Sequence, residues 1–271
     1  VLVKDPKDVS HAREAARKVV QTHQALAAYL RPGLTMPEID EFVGKTLSDL
    51  SCESCFLGYR VRGHPPFPSH ACLSLNDCVV HGTHFTVRRG LQKGDLFSVD
   101  VGVRFHGWIG DAAWTYSIGR PDPLTHELME AGRESLRRGI EAMQPHRPLI
   151  NWAKAVQGCV EQERKLHLVR GLGGHGIGRT LHGPPYIANV VPTFPGEWND
   201  AWKPWTPGML VAVEPMIAAG TTETRTQGRE WPIWTADGSQ SVHYEADVLI
   251  TETGPENLTA ELFDLPDVIE A

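Results

Sequence analysis

Two amphipathic helical segments followed by short β-rich runs occur twice along this chain, and that order permits few architectures. Residues 8–30, "DVSHAREAARKVVQTHQALAAYL", place Val9, Ala12, Ala16, Val19, Val20, Leu26, Ala27 and Leu30 at helical spacing, and "RPG" stops the run. "TMPE" opens a second helix. Thr35 and Glu38 form a capping box, Pro37 suits a first turn, and Ile39, Phe42, Val43, Leu47 and Leu50 supply the apolar face. From about residue 71 the pattern shortens to "ACLSL", "LFSVDVGVRFHG" and "AAWTYSIG", which read as strands. The order then recurs. "PLTHELMEAGRESLRRGIEAM" and "LINWAKAVQGCVEQERK" read as helices, and "LHLVR", "MLVAVEPM" and "EADVLIT" as strands. The expectation is an α+β fold built from two similar halves.

The 271 residues suffice for a sizeable core, and a formal net charge of −7 argues against a general nucleic-acid or anionic-membrane binder. No apolar run approaches the roughly 18 residues needed to span a bilayer. The opening stretch "VLVKDPKDVSHARE" shows no signal-peptide pattern, so the expected location is cytoplasmic. Five cysteines without a secretory signal read as reduced thiols. Cys52 and Cys55 form a C-x-x-C, but no second pair has zinc-knuckle spacing. The segment "PTFPGEWNDAWKPWTPG" reads as a long surface loop with some aromatic packing.

Acidic side chains stand in costly places. Asp100 lies in "SVDVG", Asp111 in "GWIGDAAWTY", Glu214 in "VAVEPM" and Glu245 in "HYEADVLIT". Asp100, Glu214 and Glu245 interrupt or border apolar β runs, where a carboxylate is expensive unless paired or metal-bound. Any one alone reads as a satisfied core acid. Together with a histidine they point to metal. That histidine comes from "GGHGIGRTLHG", which carries His175 and His182 among glycines that disfavour a helix. The stretch therefore reads as irregular backbone passing close to something. Four carboxylates and one imidazole suit a pair of divalent ions, Mn, Fe or Co, better than an isolated structural zinc. Such a pair is the equipment of a dinuclear hydrolase.

The motifs "SLNDCVVHG", "VDVGVRFHGWIGDAAWTY", "GGHGIGRTLHGPP", "VAVEPM" and "HYEADVLIT", in this order, resemble type I methionine aminopeptidases, from about residue 4 to 252. The resemblance implies the pita-bread fold: two pseudo-symmetric halves, helices outside, a curved antiparallel sheet inside, here as one catalytic domain over residues 1–271. It implies two divalent ions (Co, Mn, Fe or Zn) on Asp100, Asp111, His175, Glu214 and Glu245, with Asp111 and Glu245 bridging. It makes His81 the group near the scissile nitrogen and His182 the group that meets the substrate carbonyl and its developing oxyanion. A metal-bridging hydroxide would attack that carbonyl, with Glu214 as proton shuttle. Phe56, Tyr59, Cys72, Leu181 and Trp231 fall near positions of the family's methionine pocket. Asn76, Cys78 and Ser241 fall near a monovalent-cation site.

The implied activity is removal of the initiator methionine from nascent chains whose second residue is small. A monomer working near the ribosome, with no nucleic-acid specificity and no membrane, is the matching expectation. Several departures from the family pattern are visible. The stretch between Tyr59 and Cys72 is a few residues longer than usual. Gly183 stands where members often carry Glu, and Gly102 where some carry Thr. His182 and Glu214 are too close in sequence for the helical insertion of type II enzymes. Two rivals share this fold: a prolidase or X-Pro aminopeptidase, which usually carries a substantial N-terminal domain, and a non-enzymatic relative, which has lost metal ligands.

Overall fold

The structure, a computed structural model, describes residues 2–270. Helix α1 (Pro6–Tyr29) starts where Asp5 accepts a hydrogen bond from the Lys7 backbone N–H at 2.8 Å, and it buries Ala12, Ala15, Ala16, Val19, Val20 and Leu26. Helix α2 (Met36–Asp49) begins at the expected capping box, with the Thr35 N–H donating to Glu38 Oε2 at 2.8 Å. That contact satisfies a donor the helix itself cannot. In the second half, α3 covers Pro123–Ala142 and α4 covers Ile150–Gln157. The single helix expected through about residue 165 is divided, because α4 passes into a π-helical turn over Gly158–Glu163.

Three strands organise the first half. β1 (Cys72–Leu75) pairs antiparallel with β2 (Leu96–Phe105), and β2 with β3 (Trp108–Ile118). Side chains alternate across a strand. On β3 the even residues meet α1, since a Cβ on Gly110 would meet the Ala15 carbonyl of that helix. Odd residues such as Asp111 therefore face away from the helix. Four strands carry the second half: β4 (Gly173–Gly176), β5 (Gly183–Ala188), β6 (Leu210–Val213) and β7 (Ala246–Ile250). Their order is β7-β6-β4-β5, with residues 255–257 adding an edge beside β7. Short three-stranded sheets, such as Met216–Ala218 between His167–Leu168 and Ser241–His243, flank them.

The halves meet where the Glu245 N–H donates to the Ala113 carbonyl at 3.0 Å. α1 lies against β2 and β3, while α3 lies against Met216–Ala218 and Ser241–His243. The expected α+β architecture is observed. One expectation needs correction: residues 173–176 are not irregular but form β4, a strand enclosed by β5 and β6. Glycine is required there for close approach. A Cβ on Gly174 would collide with the Ala212 carbonyl, and one on Gly176 with the Pro184 carbonyl. The 192–208 segment is without helix or strand, as expected, and buries Trp198 and Trp205 while exposing Trp202. Among the described residues no helix is long and apolar enough to cross a membrane. All five cysteines are free thiols.

Candidate metal centre and substrate cavity

Strand register brings the acids together. Asp100 on β2 lies opposite Ala113, and Gly102 opposite Asp111 on β3. Opposed residues share a face, as do residues two apart on one strand, so Asp100 and Asp111 are diagonal neighbours on one face. Cys72 lies opposite Asp100 on the other side and joins that face. In the second half, His175 lies opposite Ala212, two residues before Glu214. Ala246 lies opposite Val213, which brings Glu245 and Glu214 to the next paired position.

Both faces open on one cavity of about 640 Å³, whose lining includes Asp100, Asp111, His175, Glu214 and Glu245. His175 Nε2 stands 3.7 Å from Glu214 Oε1 and 3.9 Å from Asp111 Oδ2. Asp111, His175 and Glu245 present donor atoms within 4.8 Å of one another, and so do Glu214, His243 and Glu245. Among the described residues, no Lys or Arg lines the cavity. Asp100 Oδ1 and Asp111 Oδ1 are buried without a hydrogen-bond partner among the described residues. Burial pushes the Asp100 carboxyl up to about 7. Burial, and then the charge of neighbouring carboxylates, push Asp111 and Glu245 well above the usual range. Buried acids without cationic partners are costly, and bound divalent ions relieve that cost. Oxygen-rich donors with one or two imidazoles suit such ions. A third group, His11, Glu14 and His106, lies outside the cavity lining.

Above the acids the walls turn apolar. Phe56, Tyr59, Cys72, Leu181 and Trp231, the expected pocket residues, all line the cavity. Phe67 joins them, edge-on to both Phe56 and Trp231. The Trp231 indole N–H donates to the Pro65 carbonyl at 2.9 Å, so the longer stretch before Cys72 supports this wall. Gly102 has a packing reason: a Cβ there would stand 2.7 Å from the Phe56 ring. His81 sits at a positive φ of 59°, with its ring perpendicular to Trp231 at 6.1 Å. Burial pulls His81 down to about 4. His182 opens to the cavity, yet the surrounding walls pull it to about 4 as well, with His175 adding to the effect. The seven-residue spacing of His175 and His182 does not separate them. The turn between β4 and β5 folds back and brings the rings edge to face at 4.5 Å.

Sequence reasoning missed two polar residues. His243 is buried, with Nε2 at 3.2 Å from Glu214 Oε2 and 3.9 Å from Glu245 Oε2. Asp247 lies opposite Ala212 on the face of His175, and its Oδ2 accepts the Asp111 N–H at 3.0 Å. The available signal was alternation: His243, Glu245 and Asp247 are every second residue of "SVHYEADVLIT". Asn76, Cys78 and Ser241 do come together. The Ser241 hydroxyl donates toward the carbonyls of Asn76 and Cys78 at 3.2 and 3.3 Å.

Comparison with known proteins extends this geometry. Residues 10–252 match metallopeptidase family M24. The chain is 34% identical over 259 residues to methionine aminopeptidase 1 of Bacillus subtilis, covering 96% of this chain and 99% of that one. It is 36% identical over 250 residues to methionine aminopeptidase 1 of Mycobacterium tuberculosis, covering 90% of each. The solved methionine aminopeptidase of Thermotoga maritima superposes with a TM-score of 0.86 at 31% identity, over 96% of this chain and 99% of that one.

Proposed function

The chain belongs to metallopeptidase family M24, and from that premise we propose that it removes N-terminal methionine from peptides and nascent chains whose second residue is small. The observation that carries this is the convergence of Asp100, Asp111, His175, Glu214 and Glu245 beneath an apolar-walled cavity that, among the described residues, no Lys or Arg lines. Those five side chains would hold two divalent ions. When bound, such ions supply Lewis-acid activation of a water and of the substrate carbonyl. Co, Mn, Fe and Zn all suit the set.

The remaining work falls to the chain's own groups. Phe56, Phe67, Cys72, Leu181 and Trp231 take the unbranched thioether side chain, which favours aromatic walls. His81 meets the nitrogen of the scissile peptide. His182 donates to the carbonyl oxygen as negative charge develops there, where a preformed donor acts most strongly. Glu214 takes a proton from the attacking water and passes it to the leaving nitrogen. His243 holds Glu214 Oε2, which keeps Oε1 directed toward His175. A monovalent cation beside Asn76, Cys78 and Ser241 belongs to the same reading. So does a monomer acting in the cytoplasm close to the ribosome, as a single domain.

The test compares hydrolysis of Met-Ala-Ser with Xaa-Pro peptides after metal-free protein is reloaded with Mn, Fe, Co or Zn. Cleavage of the methionine peptide, slowed by a bulky second residue, is the expected result. Faster cleavage of the proline substrates would favour a prolidase. Absence of any peptidase activity would favour a binding protein.

A further inference from the structure

The Tyr59 hydroxyl lies 2.7 Å from His182 Nδ1. The rings stand 5.3 Å apart at 68°, so the contact is made through the hydroxyl rather than by stacking. Tyr59 itself is held on both sides by backbone bonds. Its N–H donates to the Phe56 carbonyl at 2.8 Å, and its carbonyl accepts from the Phe67 N–H at 2.8 Å. The neighbouring Gly58 N–H donates back to the Phe67 carbonyl at 2.8 Å, which closes the base of the 60–66 loop. That loop is tied down in turn, by the Trp231 indole N–H on the Pro65 carbonyl and by His64 Nδ1 at 3.1 Å from the Arg229 carbonyl. The phenol therefore approaches His182 from a fixed position.

A neutral imidazole carries one N–H, and the partner of one nitrogen decides which nitrogen keeps it. Two arrangements are open. In one, Nδ1–H donates to the phenolic oxygen, and the phenol's own proton must then turn to water in the cavity. In the other, the phenol donates to bare Nδ1. Both groups are then satisfied, and the proton of the ring sits on Nε2. The phenolic O–H is also the more acidic donor of the two. His182 Nε2 makes no hydrogen bond among the described residues, which leaves it for a ligand in the cavity.

We propose that Tyr59 is a positioning residue: its hydroxyl donates to His182 Nδ1 and locks the ring in the Nε2–H tautomer. His182 is thereby a hydrogen-bond donor and never a base. The polarity of the site follows. An incoming carbonyl oxygen finds a donor at Nε2, and proton removal is left to Glu214. The identity of the group that Nε2 meets rests on the methionine aminopeptidase reading, whereas the tautomer does not.

The experiment is nitrogen-15 NMR of histidine-labelled, Zn²⁺-loaded protein, wild type and Tyr59→Phe, with peptide kinetics on the same samples. In the wild type His182 is expected to show a protonated Nε2 and a bare Nδ1. In Tyr59→Phe both tautomers should be populated. There kcat on Met-Ala-Ser should fall about tenfold, the size of one lost hydrogen bond, with KM held within about twofold. An Nδ1–H ring in the wild type overturns the proposal, and so does a Phe variant that keeps the pure Nε2–H form. If the wild type cleaves no methionine peptide, the proposed activity fails while the NMR still decides the tautomer.

Discussion

Replacing Asp100 with Asn in metal-free protein should stabilise the fold, and by an amount that grows with pH. Burial lifts the Asp100 carboxyl from an ordinary 3.8 to about 7. A folded acid with a raised pKa binds its proton more tightly than the unfolded chain does. Its contribution to stability is fully present below 3.8 and is lost as pH rises toward 7. A rise of that size corresponds to about 4 kcal/mol, reduced to about 2–4 where cavity water screens the outer oxygen. His23 and His81, each pulled down to about 4 by burial, work in the opposite direction: they favour the fold as pH rises from 4 to 6.5. They are common to both proteins and cancel in the difference. The assay is urea unfolding of chelator-treated wild type and Asp100→Asn from pH 4 to 8. The Asn variant should gain about 2–4 kcal/mol on the wild type across that range. Saturating Mn²⁺ at pH 7.5 should reverse the order, because an ion held by the native carboxylates would not bind the unfolded chain as well. A difference that stays flat within ~0.5 kcal/mol across the range would refute the argument.

Three further outcomes follow from the same geometry. His182→Ala should lower kcat on Met-Ala-Ser by about 10²- to 10³-fold while changing KM little, since its proposed contact would strengthen in the transition state; near-normal kcat would remove His182 from the mechanism. Glu214→Gln should cut turnover by at least about 10²-fold and leave thermal unfolding close to wild type, as measured by circular dichroism. Gly102→Ala should push on the Phe56 ring, 2.7 Å from the new Cβ, and cost about 1–3 kcal/mol in urea unfolding together with a raised KM for methionine peptides.

Much of this was legible in the sequence, and the parts that were not have physical reasons. The helices α1 and α2 announce themselves because their apolar period, capping residues and stop signals all agree. Asp100 stood out because a charged residue inside an apolar strand demands a partner. His243 and Asp247 did not, because each looks ordinary until register turns its side chain toward the acids. Strand β4 was misread for a related reason. Glycine lowers strand propensity, and nothing local shows that the neighbouring carbonyls come so close that only glycine fits. Helix propensity likewise could not foretell the π-helical turn that divides the fourth helical segment, since one glycine, Gly158, weakens a helix without saying how its turns are wound.

The proposed ligand set is also divided along the chain. Asp100 and Asp111 come from the first half, and His175, Glu214 and Glu245 from the second, joined where the Glu245 N–H meets Ala113. During synthesis, therefore, the early half emerges carrying two acids that nothing yet balances. The proposed centre would be complete only when residue 245 has been made and docked. An ion that took ligands from both halves would act as an inspector of finished assembly: it would reward the closed molecule alone, and a chain stalled midway would gain nothing from it.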